Sequence, residues 1–94
     1  MSPLPDTEVT SRLSSLPAWE VQRGELVRTF VFADFRAAIA FVNQVAEAAE
    51  AAGHHPDIDI RYNKVHLALV SHDAGGLTAK DFDLAAAADK FGPA

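Results

Sequence analysis

The chain has 94 residues, 49% of them apolar, and its 13 acidic and 8 basic side chains give a net charge of −5 at pH 7. This length predicts a single domain over residues 1–94, and the negative charge argues against nucleic acid and anionic membranes as partners. The absence of cysteine excludes disulfides and thiolate chemistry. The sequence has no secretion-signal pattern and no apolar run near the ~20 residues that span a bilayer, so we expect a cytoplasmic protein.

The first third of the chain predicts one helix and one β-hairpin. Asp6 is placed to cap the helix, and Pro17 is expected to end it. Between residues 19 and 32 the side chains alternate between two faces, with Gly24-Glu25 as the turn. Because the second strand of this hairpin is apolar on both faces for part of its length, we expect it to lie in the centre of a sheet or to be covered on both faces.

The middle of the chain predicts one long helix. Asp34 caps it, it covers approximately Phe35 to Ala52, and Gly53 ends it in the left-handed conformation. Its apolar residues form two stripes at helical spacing, one of Phe35, Ile39, Val42, Ala46 and Ala49 and one of Phe41, Val45, Ala48 and Ala52. An apolar arc this broad is expected to contact another element in addition to the sheet, so the second stripe is a candidate contact with a partner subunit.

The last third repeats the pattern of two strands and a helix. A third strand precedes a turn at Asn63-Lys64, a fourth strand alternates from Val65 to His72, and Thr78 caps a final helix with Asp81 at the capping-box position. The order α-β-β-α-β-β-α, with tight turns in both hairpins, predicts an α+β fold. We expect a four-stranded antiparallel sheet with the helices packed on one face.

The groups that could carry chemistry are three imidazoles and two carboxylates: His54, His55, His72, Glu50 and Asp81. Imidazole gives and takes protons near neutral pH, so several around one pocket suit a reaction that protonates one atom and deprotonates another. Since the fourth strand runs back beside the third, His72 can approach the corner that carries His54 and His55. The carboxylates would then fix ring orientation and tautomer.

Each of these residues also has a simpler explanation. Adjacent histidines at a helix end favour the negative pole of the helix dipole, Glu50 and His54 stand at an i,i+4 spacing, and Asp81 has a capping role in any case. Zinc is the chemical rival, but the sequence lacks the His-x-His and His-x-x-x-His spacings of chelating pairs, so we expect no metal. His66 alternates within a strand and is expected to face a neighbouring strand or solvent.

The same residues resemble the signature of the pterin-4a-carbinolamine dehydratase family. The likeness covers essentially the whole chain in the same element order. It is carried by Glu50-x-x-x-His54-His55-Pro56, Tyr62-Asn63-Lys64-Val65-His66-Leu67, His72 and Gly76-Leu77-Thr78-x-x-Asp81, with Trp19, Phe35 and Phe41.

This resemblance implies a hydro-lyase that converts 4a-hydroxytetrahydropterin to quinonoid dihydropterin and water, in tetrahydrobiopterin recycling, without a cofactor. For this chemistry, our hypothesis is that His54 and His72 transfer the protons, in roles that the sequence leaves open, and that His55 mainly binds and orients the pterin. The residues expected to bind the substrate are Gly53, His54, His55, Pro56, Ser71, His72 and Asp73. Gly53 departs from the acidic residue often found at its position in the family.

The resemblance also implies a homodimer that extends the sheet, or a homotetramer that pairs dimers through helices. Some members of the family instead act as non-catalytic binding proteins, either as a dimerisation cofactor of a transcription factor or as an assembly helper of a carbon-fixing enzyme. Because the assembly helpers usually have eroded catalytic residues, the intact His54, His55, His72 and Asp81 of this chain favour an enzyme.

Overall fold

The computed structural model describes residues 2–93 and has the predicted order α-β-β-α-β-β-α. A single 3₁₀ turn, His72–Ala74, lies between the last strand and the last helix. The elements are α1 (Asp6–Leu13), β1 (Glu20–Gln22), β2 (Glu25–Val31), α2 (Phe35–Ala52), β3 (Asp57–Arg61), β4 (Lys64–Leu69) and α3 (Ala79–Phe91). Among the residues described, no helix has the length and apolar character needed to cross a membrane.

The four strands form one antiparallel sheet in the order β1-β2-β4-β3, with the helices on one face. β2 is therefore a central strand, as its two apolar faces predicted. Alternate residues of β2 and β4, among them Phe30 and Val65, point into the core. The Phe30 ring lies 4.5 Å from the Phe41 ring of α2, measured between centroids, so the core lies between the sheet and α2.

Both hairpin turns lie one residue earlier than predicted. Gln22 pairs with Glu25, which leaves Arg23-Gly24 as the turn, and both turn residues have positive φ angles of 54° and 79°. In the second hairpin the turn is Tyr62-Asn63, where Tyr62 has φ 52°. Two-residue hairpin loops require positive φ because only such turns match the twist of the strands. Side-chain alternation marks the faces of a strand but not the residue at which pairing stops.

The first helix differs from its prediction at both ends. Pro5 occupies the N-cap and Asp6 is already the first helical residue, so Asp6 faces the positive helix pole rather than capping it. The helix ends at Leu13, well before Pro17. The hydroxyl of Ser14 donates to the carbonyl of Ser11 over 2.6 Å. Serine hydroxyls that bond locally to the backbone compete with helix continuation, which explains the early end.

The long helix α2 has the predicted ends but a different buried face. The Asp34 side chain accepts from the backbone N–H of Ala37 over 2.8 Å, and Gly53 is left-handed with φ 62°. The buried residues are Ala38, Phe41, Val45 and Ala49. Phe41 and Val45 of the second stripe therefore pack into the core and are not available to a partner subunit, whereas Ala52 of the same stripe is exposed. Phe35, assigned to the inner stripe, is 51% exposed.

The fourth strand is shorter than predicted and does not contain His72. β4 ends at Leu69, and Ser71 then forms an isolated antiparallel bridge with Gly76. This bridge closes the small loop that carries the 3₁₀ turn of His72 and Asp73. Buried Ala74 anchors the loop against the protein. His72 thus lies beyond the strand, in a loop that is held by the Ser71–Gly76 bridge and by buried Ala74.

Candidate active site

The backbone at the end of α2 places His54. Left-handed Gly53 turns the chain out of the helix, and the N–H of His54 donates back to the carbonyl of Ala49 over 3.1 Å. Glycine adopts this conformation without a steric penalty, so the turn is tightly specified. The imidazole of His54 is consequently held at the junction of α2 and the sheet, with only 12% of its side chain exposed.

Asp81 holds the His54 ring from the start of α3. Oδ1 of Asp81 lies 2.5 Å from Nε2 of His54, and the Asp81 side chain is completely buried. Its other oxygen, Oδ2, accepts two hydrogen bonds of 2.9 Å, from the hydroxyl of Ser71 and from the backbone N–H of Thr78. The second bond is half of the predicted capping box. The structural and site roles of Asp81 therefore coexist in one carboxylate.

Glu50 and His55 form a second histidine–carboxylate pair of a different kind. Nε2 of His55 bonds to Oε2 of Glu50, and the two side chains are 65% and 75% exposed. Glu50 thus meets His55 rather than His54, its i,i+4 neighbour, because the turn at Gly53 takes His54 to Asp81. Solvent screens an exposed pair, so this contact orients the His55 ring but contributes little to stability.

His54, His55 and His72 line a single open depression of about 380 Å³. Its full lining is Gly53, His54, His55, Val70, His72, Asp73 and Lys80. The structure thus brings together the three histidines that the sequence singled out, with Gly53 and Asp73 beside them. Their catalytic roles stay predictions.

Four predicted site residues lie outside the lining: Glu50, Pro56, Ser71 and Asp81, the last of which holds His54. Ser71 was expected to bind the substrate, but its side chain is buried and bonds to Asp81 and to the hydroxyl of Thr78. Glu50 does not line the depression itself but bonds to His55, which does. Pro56 is half-buried and directly precedes β3. Ser71 therefore supports the carboxylate that holds His54.

Sequence reasoning missed two lining residues, Val70 and Lys80. Both are sequence neighbours of predicted ones, since Val70 precedes Ser71 and Lys80 precedes Asp81. The available signal for Lys80 was its position in the first turn of α3, beside the capping-box acid. A lysine in that turn is unfavourable next to the positive helix pole, so helix stability does not explain its presence there.

Metal ligation and the fourth histidine can be assessed directly from the geometry. Within residues 2–93, no group of three or more histidine, aspartate or glutamate side chains is arranged to hold a metal ion. His66 lies on the sheet face away from the helices, and its Nδ1 is hydrogen-bonded to the hydroxyl of Thr29 on the adjacent strand over 2.8 Å. His66 thus contacts a neighbouring strand, as predicted.

Comparison with known proteins connects this geometry to a family. The family model described as pterin 4 alpha carbinolamine dehydratase matches residues 2–91. A provisionally named pterin-4-alpha-carbinolamine dehydratase of Acidobacterium capsulatum is 66% identical over 86 residues, which cover 92% of this chain and 94% of that protein. A protein of the same provisional name in Chloroflexus aurantiacus is 61% identical over 91 residues, which cover 97% of this chain and 98% of that protein.

Two solved structures share the architecture. The crystal structure of a transcriptional coactivator/pterin dehydratase from Brucella melitensis superposes with a TM-score of 0.94 at 30% identity, over 98% of this chain and 100% of that one. A pterin dehydratase-like protein described as a RuBisCO assembly factor in the alpha-carboxysome gives a TM-score of 0.64 at 23% identity, over 78% of this chain and 84% of that one. The second likeness concerns the fold alone. With the family match over residues 2–91, the chain belongs to the pterin 4 alpha carbinolamine dehydratase family.

Proposed function

We propose that this protein dehydrates a 4a-hydroxytetrahydropterin to a quinonoid dihydropterin and water. The observation that carries the proposal is the contact between His54 and the buried carboxylate of Asp81, on a depression that His55 and His72 also line. Membership of the dehydratase family supports the same conclusion. We further propose that the reaction serves the recycling of tetrahydrobiopterin in the cytoplasm.

The reaction needs two proton transfers and no redox step. The C4a–O bond breaks, and the hydroxyl leaves as water after one imidazolium donates a proton to it. A neutral imidazole takes the proton from N5, and the N5 electron pair forms the new C4a=N5 double bond. General acid–base groups of this kind contribute typically 10²–10⁴-fold each, which is the scale of effect expected from single histidines.

His54 and His72 share these transfers in our proposal, and His55 binds and orients the pterin. The bond between Nε2 of His54 and Asp81 fixes one ring nitrogen, so the proton exchanged with the pterin is carried on Nδ1. His72 is exposed on its closed loop and faces the same depression. The reaction requires one proton donor and one proton acceptor on the same cavity, and these two imidazoles are the candidates for those roles.

Stopped-flow dehydration of a chemically generated carbinolamine tests the proposal. The wild-type protein should accelerate formation of the quinonoid product well above the buffer rate, in proportion to protein concentration. A rate equal to that of buffer, with the protein folded and the substrate verified, would contradict it.

The alternative function is that of a non-catalytic binding or assembly protein. It rests on the solved relatives, one titled a transcriptional coactivator/pterin dehydratase and the other a RuBisCO assembly factor. The arrangement of His54 and Asp81 over a depression favours catalysis, because a scaffold has no need for a histidine held by a buried carboxylate. Absence of dehydration together with tight binding to a purified protein partner would favour the alternative.

We also propose that the protein is a homodimer or homotetramer. β3 is an edge strand, so one side of its backbone has no partner strand within the described residues. Ile58 of this strand is 37% exposed although it pairs with Leu67 on the inward face of β4. An exposed edge strand with an apolar side chain favours pairing with another strand.

A further inference from the structure

A second depression adjoins the histidine depression along the cleft between α2 and α3. It has a volume of about 290 Å³, and Lys80 lines both depressions. Its other lining residues are mostly small or apolar, with one carboxylate among them: Ala48, Ala52, Asp83, Leu84 and Ala87. Lys80 is therefore the common border of the two spaces.

The second depression is lined by residues of α2 and α3, the two helices whose ends hold His54. Ala52 ends α2 only two residues before His54, and Lys80 immediately precedes Asp81 in α3. The Asp81–His54 contact thus joins the end of α2 to the first turn of α3. The two depressions meet at Lys80, because its side chain lines both of them.

The charge of Lys80 is available to a ligand. Among residues 2–93, Lys80 takes part in none of the ion pairs of 4.0 Å or less. Asp73 is the other charged side chain that lines the histidine depression beyond the imidazoles, and it belongs to the 3₁₀ turn of His72. An ammonium group at the border of a ligand cavity attracts an anion, more strongly where the ligand excludes water.

The chemistry of the reaction decides which part of the substrate reaches this border. The histidines must face C4a and N5, and C6 is bonded directly to N5. A substituent on C6 therefore projects from the reacting edge of the pterin and must leave the histidine depression beside it. The cleft between α2 and α3 is the adjoining space, and Lys80 stands where the two meet.

We propose that Lys80 is a specificity residue that binds an anionic group, phosphate or carboxylate, on the C6 substituent of the pterin. The carbon chain of that substituent lies in the cleft between α2 and α3. This inference rests on the proposed dehydratase function and adds a substrate class to it. Lys80 is exposed in the first turn of α3, so its replacement leaves the core intact.

The test compares three carbinolamines: one with a 6-methyl group, one with an uncharged polyhydroxypropyl group, and the phosphate ester of the latter. In the wild type, kcat/KM should be about 10-fold higher for the ester than for its uncharged parent, as expected for one charge-assisted hydrogen bond. Lys80→Ala should abolish this preference, so that the ester and its uncharged parent have equal kcat/KM, and Lys80→Arg should retain it. The matched control is Lys90→Ala, since Lys90 lies about 15 Å further along the same helix.

A second variant tests the cleft itself. Ala87→Leu should lower kcat/KM for both substituted pterins and leave the 6-methyl compound unchanged, because the added side chain fills the space for the substituent. The inference would be overturned if the wild type had equal kcat/KM for the ester and its uncharged parent, or if Lys80→Ala still preferred the ester.

The proposed function and this inference fail in different ways. If none of the carbinolamines reacts faster than in buffer, the dehydratase proposal fails. The Lys80 proposal is then decided by calorimetric binding of an unreactive 7,8-dihydropterin and of its phosphate ester. Tighter binding of the ester that is lost in Lys80→Ala supports the role of Lys80, and equal binding contradicts it.

Discussion

Nε2 of His54 lies 2.5 Å from Oδ1 of Asp81, across 27 residues of sequence. The contact joins the C-terminal end of α2 to the first turn of α3. It fixes a histidine on a cavity wall by means of a carboxylate that solvent does not reach. The same carboxylate caps α3 through Thr78, so the site and the helix share one anchor. Changes at this anchor should therefore affect activity and stability together.

Replacement of Asp81 by Asn should lower both the activity and the stability of the protein. The amide cannot supply the charge that faces His54, and it cannot accept from His54, Ser71 and Thr78 together. We expect turnover to fall by about 10²-fold and the free energy of unfolding to fall by about 1–3 kcal/mol. Stopped-flow kinetics and urea denaturation measure the two effects. Asp6→Asn, at an exposed position of α1, is the control, and an Asp81→Asn protein with wild-type turnover would contradict the role of Asp81.

Replacement of Ser71 by Ala should have a smaller effect of the same kind. Asp81 then keeps its bonds to His54 and Thr78 but loses the one from the Ser71 hydroxyl. We expect turnover to fall by about 10-fold, at the lower end for a residue that orients a catalytic partner. The loss of stability should be about 1 kcal/mol. In a double-mutant cycle with Asp81→Asn the two effects should be non-additive, and strict additivity would show that Ser71 acts independently of Asp81.

Replacement of Glu50 by Gln should change little. The pair of Glu50 and His55 is exposed, and such pairs typically contribute 0.2–1 kcal/mol. We expect at most a few-fold rise in KM, through looser orientation of His55, with kcat and the unfolding midpoint nearly unchanged. Steady-state kinetics separate the two parameters. A fall in kcat as large as that of Asp81→Asn would instead assign Glu50 to proton transfer.

Replacement of Ile58 by Asp should lower the oligomeric state. Ile58 is partly exposed on edge strand β3, and a charge there opposes pairing with a second strand. Sedimentation velocity should show the wild type as a dimer or larger and Ile58→Asp at a smaller mass. Asp59→Asn, on the opposite face of the same strand, is the control. A wild-type protein that sediments as a monomer at micromolar concentration would contradict the proposed assembly.

Removal of metal ions should leave the reaction unaffected. The proposed steps use imidazoles alone, and residues 2–93 contain no cluster arranged to bind a metal. Exhaustive treatment with a chelator, followed by assay in metal-free buffer, should preserve kcat within error. Loss of activity that returns on addition of a divalent cation would require a different mechanism.

Much of the fold was predictable because its signals are local. Asp34 and Gly53 marked the two ends of α2 correctly, since a capping carboxylate and a left-handed glycine act on their own helix. The turns at Arg23-Gly24 and Tyr62-Asn63 were misplaced by one residue. The buried face of α2 was also misjudged, because a sequence rich in alanine offers several helical stripes and only tertiary packing selects among them.

The histidines of the site could be predicted from the sequence, but the contacts that hold them in place could not. His54, His55 and His72 are distinctive residue types, and strand pairing implied that they converge. The assignment of Glu50 to His55 and of Asp81 to His54 depends on the chain reversal at Gly53. The Ser71 side chain is buried with its hydroxyl bonded to Asp81 and to the hydroxyl of Thr78, contacts that no periodicity reveals.

The most direct test of the central claim is the single-turnover rate of carbinolamine dehydration in His54→Ala and His72→Ala, measured by stopped flow with His66→Ala as the matched control. His66 lies on the sheet face away from the depression and is bonded to Thr29. We expect each of the first two variants to lose about 10²-fold or more of the wild-type rate, and His66→Ala to retain it. Wild-type rates in both His54→Ala and His72→Ala would contradict the account.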